Sequence, residues 1–205
     1  SLAVLPDLER VLVTNSGMRE LDVNGHSVQV FRLSDLKLLK TLYLDTGGHR
    51  YGDINPEEPR RGPDGALYVQ TLACGIERIS DLAAEAPKSQ LVHVFPGSMC
   101  GVPTIVGHYL VQSVPTIHSL IVLDLADPAR PVEVSRLDLG EGFWPHWTGW
   151  DARTGRLAVT GYDVNRLYMV KLDQATGALS LDTASLYAYG KPGFSLDHRA
   201  WPHGW

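Results

Sequence analysis

The side chains of this chain best suited to chemistry are its histidines, because two of them recur in one short motif. The tripeptide Trp-Pro-His occurs at residues 144–146 and again at residues 201–203. Imidazole binds copper, zinc, iron and nickel, and side chains at equivalent positions of a repeat converge on one axis when the repeats form a ring. We therefore predict a metal site whose ligands are four histidines, namely His49, His118, His146 and His203.

Two other interpretations of these histidines stay open at the level of sequence. In the first, the tryptophans of the motif pack between repeats and each imidazole bonds a backbone carbonyl, so that the motif is structural. In the second, the histidines line a polar pocket that holds no metal. The residue types alone do not separate these interpretations from a metal site.

Two cysteines and a glutamate are the other candidates for chemistry. Cys74 and Cys100 are each followed by a glycine, which lets the backbone approach a ligand closely. A thiolate in such a place attacks a substrate or binds a soft metal, whereas a buried structural thiol and a disulfide are the alternatives. Glu57 lies in a long predicted loop, where it acts as a base, orients a ligand, or is simply solvated. The predicted catalytic residues are Glu57 and Cys74.

The elements that must position these residues are short strands of one repeated kind. Four segments begin with Gly or Arg, alternate apolar residues and end in polar ones, and their central valines are 56, 42 and 48 residues apart: Val13, Val69, Val111 and Val159. Further strand-like segments and Asp- or Gly-containing turns follow each of them. A period near 40 to 50 residues built of strands and turns is typical of a propeller blade of four strands.

We therefore predict an all-β fold made of β-propeller blades, each with four antiparallel strands. The blades are expected at residues 1–46, 47–97, 98–140 and 141–190 of a single domain, and residues 191–205 open or close a further blade. A strand at the end of the chain must pair with something. The sequence is therefore expected to be part of a larger propeller, a small ring that closes on itself, or a half ring completed by a second copy or another chain.

Several motifs, in their order along the chain, resemble those of one family. They are Glu-Glu-Pro-Arg at 57–60, Gly-Pro-Asp-Gly at 62–65, Val-Gln-Thr at 69–71, Cys-Gly at 74–75, Phe-Pro-Gly at 95–97 with Cys100, Leu-Asp-Leu-Ala-Asp-Pro at 123–128, Pro-His-Trp at 145–147 and the segment 194–204. Together they resemble the selenium-binding-protein and methanethiol-oxidase-like β-propellers, especially bacterial relatives, over about residues 47–205.

This resemblance implies a ring of seven blades, of which about four are present. For the methanethiol-oxidase branch it also implies a copper-dependent oxidation of a small thiol to an aldehyde, sulfide and peroxide. Copper is accordingly the expected cofactor, with zinc or iron as alternatives, and a small sulfur compound is the expected substrate.

Composition excludes some partners and leaves the compartment open. The net charge is −5 and no run of Lys or Arg is present, which argues against nucleic acid as a partner. No apolar run approaches the length of a membrane span, so no membrane partner is expected. The compartment is open between the cytoplasm and an exported location, and the chain is expected to have been trimmed at its start because Ser1 replaces an initiator Met.

Two functions from different classes follow from these residues. The first is a metal-dependent oxidoreductase with a histidine-lined channel, and the alternative is a non-catalytic propeller that serves as a protein-binding or assembly platform. A lactonase-like hydrolase is a weaker third hypothesis, because the candidate positions offer histidine more readily than Asp, Glu and Asn.

Overall fold

Seventeen short β-strands make up the regular structure of the computed structural model, which describes residues 1–15, 25–45, 47–48, 54–162, 166–183 and 194–195. The first two sheets contain β1 (Leu2–Leu5), β2 (Arg10–Asn15), β3 (Ser27–Arg32), β4 (Leu38–Tyr43), and then β5 (Pro56–Arg61), β6 (Leu67–Thr71), β7 (Gly75–Ser80) and β8 (Lys88–Val94). The third and fourth contain β9 (Thr104–Val106), β10 (Tyr109–Val114), β11 (Ser119–Asp124), β12 (Val132–Asp138), and then β13 (Pro145–Asp151), β14 (Arg156–Gly161), β15 (Arg166–Leu172), β16 (Leu179–Leu181) and β17 (Phe194–Ser195).

Each sheet is a meander whose strands hydrogen-bond in chain order. In the fourth sheet β17 additionally pairs with β15. Turns between the first and second strands of a sheet use glycine where the backbone is left-handed, as at Gly65 and Gly155, with φ of +79° and +66°. The predicted all-β fold with blades of four antiparallel strands is confirmed.

The chain divides into two compact units, each with its own hydrophobic core. Unit 1 comprises Ser1–Cys100 and Leu125–Val132, and unit 2 comprises Gly101–Asp124 and Glu133–Trp205. The core of unit 1 is aliphatic and includes Leu12, Val28, Val30, Ile54, Leu67, Val69 and Ile79. The core of unit 2 adds aromatic rings and includes Tyr109, Val111, Leu120, Val122, Phe143, Leu157, Val159, Tyr168 and Val170. Burial of these alternating apolar faces holds the strands of each sheet in register.

In two of the four sheets, the first strand contains a β-bulge near its beginning. In β5 the pairing with β6 shifts between Pro56, opposite Thr71, and Pro59, opposite Val69. In β13 the pairing with β14 shifts between residues 145 and 147. First strands lie at the edge of their sheets, where proline is tolerated because it has no N–H to pair.

The prediction of a loop around Glu57 was therefore wrong. The prolines and charges of residues 56–61 suggested a loop, but they form β5, an edge strand that tolerates both. Glu57 lies in its bulge, which we call the Glu57 bulge (residues 56–59). The corresponding feature of β13 (residues 145–147) is the His146 bulge.

In the described part of the chain, no helix is both long and apolar enough to cross a membrane.

Candidate functional site

The His146 bulge places an imidazole among aromatic rings at the beginning of β13. The ring centroid of His146 lies 4.3 Å from that of Trp147 and 5.1 Å from that of Tyr162. Its Nδ1 is buried and has no hydrogen-bond partner among the described residues. Burial lowers the pKa of His146 below its ordinary value, so the ring is uncharged at neutral pH.

The backbone of the His146 bulge is held by the segment that precedes β9. The carbonyl oxygen of His146 accepts hydrogen bonds from the Val102 amide at 2.8 Å and from Ser113 Oγ at 2.6 Å. A Cβ atom on Gly101 would lie 2.2 Å from the same oxygen, so only glycine fits there. A β-bulge changes the direction of a side chain at the edge of a sheet. The contacts to the His146 carbonyl therefore fix the direction of the His146 side chain.

Gln112 supports this arrangement from β10 and was not predicted from the sequence. Its Nε2 donates to the carbonyl oxygens of Gly101 and Ser113. Because a carbonyl oxygen can only accept, these two bonds fix the orientation of the amide. Its Oε1 is a buried acceptor for which the described part of the chain offers no partner. A Gln between apolar residues of a predicted strand was the signal in the sequence.

His118 is the second described histidine that was predicted as a ligand, and its ring nitrogen has a hydrogen-bond partner. It follows the 3₁₀ turn Pro115–Ile117 in a left-handed backbone conformation, with φ of 55°. Its amide donates to the Pro115 carbonyl, and its own carbonyl accepts from the Leu139 amide, each at 2.9 Å. Its Nδ1 lies 3.0 Å from the carbonyl oxygen of Phe143. That oxygen only accepts, so Nδ1 donates this hydrogen bond, and in the neutral ring Nε2 then carries the lone pair.

His118 and His146 thus border the same stretch of chain in unit 2. His118 bonds Phe143 and its ring lies 6.0 Å from that of Trp144, while His146 follows two residues later. The other two predicted ligands, His49 and His203, lie outside the described residues. Among the residues that are described, no group of three or more His, Cys, Asp or Glu is placed to hold a metal ion. The four-histidine site therefore stays a prediction.

Glu57 occupies the corresponding bulge in unit 1, but its surroundings differ. Its Oε2 accepts a hydrogen bond from Gln70 Nε2 at 3.2 Å. Burial raises the pKa of the Glu57 carboxyl, and the neighbouring charge of Glu58 raises it further, while the Gln70 hydrogen bond and the α-amino group of Ser1 act in the opposite direction. A carboxyl of raised pKa is suited to carry a proton, as the predicted catalytic role requires.

Cys74 and Cys100 form a disulfide within unit 1, and both residues are fully buried. Of the alternatives that the sequence left open, the structure shows this one. Cys74 lies in the turn between β6 and β7 with φ of 69°. In the oxidised form it has no thiolate to act as a nucleophile or as a soft ligand. The catalytic role predicted for Cys74 requires reduction of this bond and stays a prediction.

Glu77 is a second buried carboxyl of unit 1 that the sequence did not reveal. Its Oε1 accepts from the Asp45 amide at 3.0 Å and its Oε2 from Ser89 Oγ at 2.6 Å. Burial raises the pKa of Glu77, these hydrogen bonds lower it, and the charge of Asp45 raises it. Glu77 is fully buried.

Comparison with known proteins identifies the fold. No protein-family model and no curated protein matches the sequence. Among solved structures, a hypothetical selenium-binding protein from Sulfolobus tokodaii aligns with a TM-score of 0.70 and 13% identity, over 89% of this chain and 53% of that protein. The periplasmic gluconolactonase of Pseudomonas aeruginosa aligns with a TM-score of 0.69 and 20% identity, over 88% of this chain and 55% of that protein. A protein from Lactobacillus plantarum aligns at 0.69 and 18%, over 88% and 53%.

The chain has the β-propeller fold. It spans about half the length of the solved structures that it matches. At these identities the similarity establishes the fold and does not extend to the activities that their names carry.

Proposed function

We propose that the protein is a metal-dependent oxidoreductase of the β-propeller class, with His118 and His146 among the ligands of the metal. The observation that carries this proposal is the hydrogen bond from His118 Nδ1 to the Phe143 carbonyl. Metal-binding histidines commonly donate their second ring N–H to a carbonyl or carboxylate, which fixes the ring and its tautomer. His118 has this arrangement, and the lone pair of its Nε2 is left for a ligand.

The remaining residues fit copper in part. Imidazole nitrogen is a good ligand for copper. Copper, when it is bound, supplies one-electron redox chemistry. His146 adds a second imidazole beside the same stretch of chain, and His49 and His203 are proposed to complete the set. The Cys74–Cys100 disulfide offers no thiolate, so the proposed ligand set consists of histidines.

Within unit 1, Glu57 is the group that we propose to transfer protons. Its raised pKa allows it to alternate between its acid and base forms closer to neutral pH than an exposed glutamate does. Small sulfur compounds are the proposed substrates, on the strength of the family resemblance that the sequence motifs carry.

Elemental analysis of the purified chain after reconstitution with copper tests the proposal. We expect bound copper that survives dialysis and is lost in His118→Ala and in His146→Ala. His108→Ala is the matched control, because His108 is exposed in the turn before β10, where its ring contacts the neighbouring Tyr109 ring and lies 3.8 Å from Asp124. Copper that is absent, or that is equally retained in all three variants, would contradict the proposal.

A second candidate function is a non-catalytic binding platform, which one observation favours. Three aromatic side chains of unit 2 are exposed, Trp144 by 36%, Trp147 by 55% and Tyr162 by 61%. Exposed aromatic residues close together are typical of binding surfaces. If a second copy covers them, sedimentation will show a concentration-dependent dimer that Trp147→Ala weakens while copper binding is unaffected. A monomer at all concentrations would count against self-association.

A further inference from the structure

A continuous set of contacts connects the disulfide of unit 1 to Glu57. The carbonyl oxygen of Cys100 accepts a hydrogen bond from Gln70 Nε2 at 3.3 Å. The same nitrogen donates to Glu57 Oε2 at 3.2 Å. Gln70 is fully buried, so its amide is shared between these two acceptors. The Cys100 carbonyl fixes which end of the amide faces Glu57, because that oxygen can only accept a hydrogen bond.

The position of the Cys100 carbonyl depends in turn on the disulfide. Cys100 is tied to the turn before β7 by its bond to Cys74 and by the hydrogen bond from its amide to the Leu72 carbonyl at 3.0 Å. Cys74 is itself fixed, since its amide donates to Thr71 and its carbonyl accepts from Phe95, both at 2.9 Å. The covalent link therefore holds the acceptor that orients the Gln70 side chain.

We propose that Gln70, anchored through the Cys100 carbonyl by the Cys74–Cys100 disulfide, is a positioning residue for Glu57. Gln70 offers the carboxyl a hydrogen-bond donor, and the disulfide keeps the Cys100 segment closed over Gln70. This inference rests on the proposed function, in which Glu57 transfers protons. It adds to that function a residue and a covalent bond that set the protonation of the carboxyl.

Within the described residues, two charged groups act on Glu57. Glu58 and the α-amino group of Ser1 are its charged neighbours, and Gln70 is its neutral partner. The carboxylate of Glu58 is engaged by Arg60 at 2.7 Å and by Ser1 Oγ at 3.3 Å. Two changes are therefore expected to act in opposite directions. Loss of the Gln70 donor destabilises the ionised carboxylate, whereas opening of the Cys100 segment admits water, which stabilises it.

The test is a titration of the Glu57 carboxyl carbon by NMR, in the metal-free full chain, for three variants. In Gln70→Met the side chain keeps its approximate length but loses the donor, and the pKa of Glu57 should rise by about one unit. In Cys74→Ser/Cys100→Ser the pKa should fall towards that of an exposed glutamate. Gln112→Met is the control, because it removes the buried glutamine of unit 2 and should leave the pKa of Glu57 unchanged.

The inference is overturned if the pKa of Glu57 is unchanged in either Gln70→Met or the double cysteine variant, or if Gln112→Met shifts it equally. The two test variants perturb opposite ends of the same set of contacts. If Gln70→Met does not fold, the pKa of Glu57 in the double cysteine variant decides the test alone. A general loss of stability would not raise the pKa of Glu57 in one variant and lower it in the other. The titration needs no metal, so its outcome is separate from that of the copper analysis.

Discussion

The Glu57 bulge and the His146 bulge lie at corresponding places in two sheets, but they are held in different ways. In unit 1 the glutamine beside the bulge is anchored to a segment that a disulfide closes. In unit 2 a glycine, a serine and a glutamine hold the bulge through hydrogen bonds and close packing alone. Both bulges hold a half-buried ionisable side chain, and in both the partial burial favours the uncharged form.

This difference shows that one architectural device can present different chemistry. A bulge at the beginning of an edge strand turns one side chain out of the regular alternation, and the residue type then decides what is presented. In unit 1 the residue is Glu57, whose raised pKa keeps the carboxyl protonated to a higher pH than usual. In unit 2 it is an uncharged imidazole, which is the form that binds metals.

Removal of the disulfide should have the largest effect on stability. The Cys74→Ala/Cys100→Ala variant loses a link that closes a loop between residues 26 positions apart, and the expected loss is about 3 kcal/mol of unfolding free energy. Urea unfolding followed by circular dichroism measures it. A loss below about 1 kcal/mol would mean that hydrogen bonds alone hold this turn, as they do in unit 2.

Gly101→Ala is the corresponding test for the His146 bulge. The new methyl group would lie 2.2 Å from the His146 carbonyl and 2.6 Å from Ser113 Oγ, and the expected loss is about 2 kcal/mol. Gly149→Ala in β13 is the control, because a Cβ there meets nothing within 4 Å. Equal unfolding curves for the two variants would refute the close packing of the bulge.

Ser113→Ala should have a smaller effect of the same kind. It removes the hydroxyl that donates to the His146 carbonyl at 2.6 Å but leaves the Val102 amide in place, so about 1 kcal/mol should be lost. Differential scanning calorimetry measures the change. Copper affinity should fall together with stability if the bulge positions a ligand, and an unchanged affinity would separate the two properties.

Glu77→Gln should change how the free energy of unfolding depends on pH more than it changes the free energy of unfolding at acid pH. The folded state raises the pKa of Glu77 above the value of 4.5 for a free side chain, so it binds the proton more tightly than the unfolded state does. This contribution to stability is complete below pH 4.5 and is lost as the pH rises through the folded-state pKa.

Glutamine can keep both hydrogen bonds of Glu77, accepting from the Asp45 amide and donating to Ser89 Oγ. We therefore expect Glu77→Gln to be more stable relative to the parent at pH 7 than at pH 4, as measured by urea unfolding at both values. A stability difference that is the same at the two pH values would contradict this interpretation of the buried carboxyl.

The fold could be predicted from the sequence because its signal is repeated. The spacing of Val13, Val69, Val111 and Val159 indicated blades, and each valine lies in the second strand of a sheet. Glu57 and His146 were recognised as candidates by residue type. The strand around Glu57 was missed because prolines and charges favour loops in general and edge strands only in particular contexts.

Other features of the site depend on contacts between distant parts of the chain. The Cys74–Cys100 pairing was one of three alternatives, because the distance between two cysteines is not encoded locally. Gln112 and Glu77 lie in strands that are buried on both faces, so alternation no longer indicates which side chains reach solvent. The orientation of His118 follows from a left-handed turn and from a carbonyl 25 residues away.

The most direct test of the proposed metal site is the electron paramagnetic resonance spectrum of the copper(II)-reconstituted chain. We expect hyperfine coupling to imidazole nitrogen that is reduced in His118→Ala and in His146→Ala and is preserved in His108→Ala. A spectrum identical in all three variants, or one without nitrogen coupling, would show that these histidines do not bind the metal.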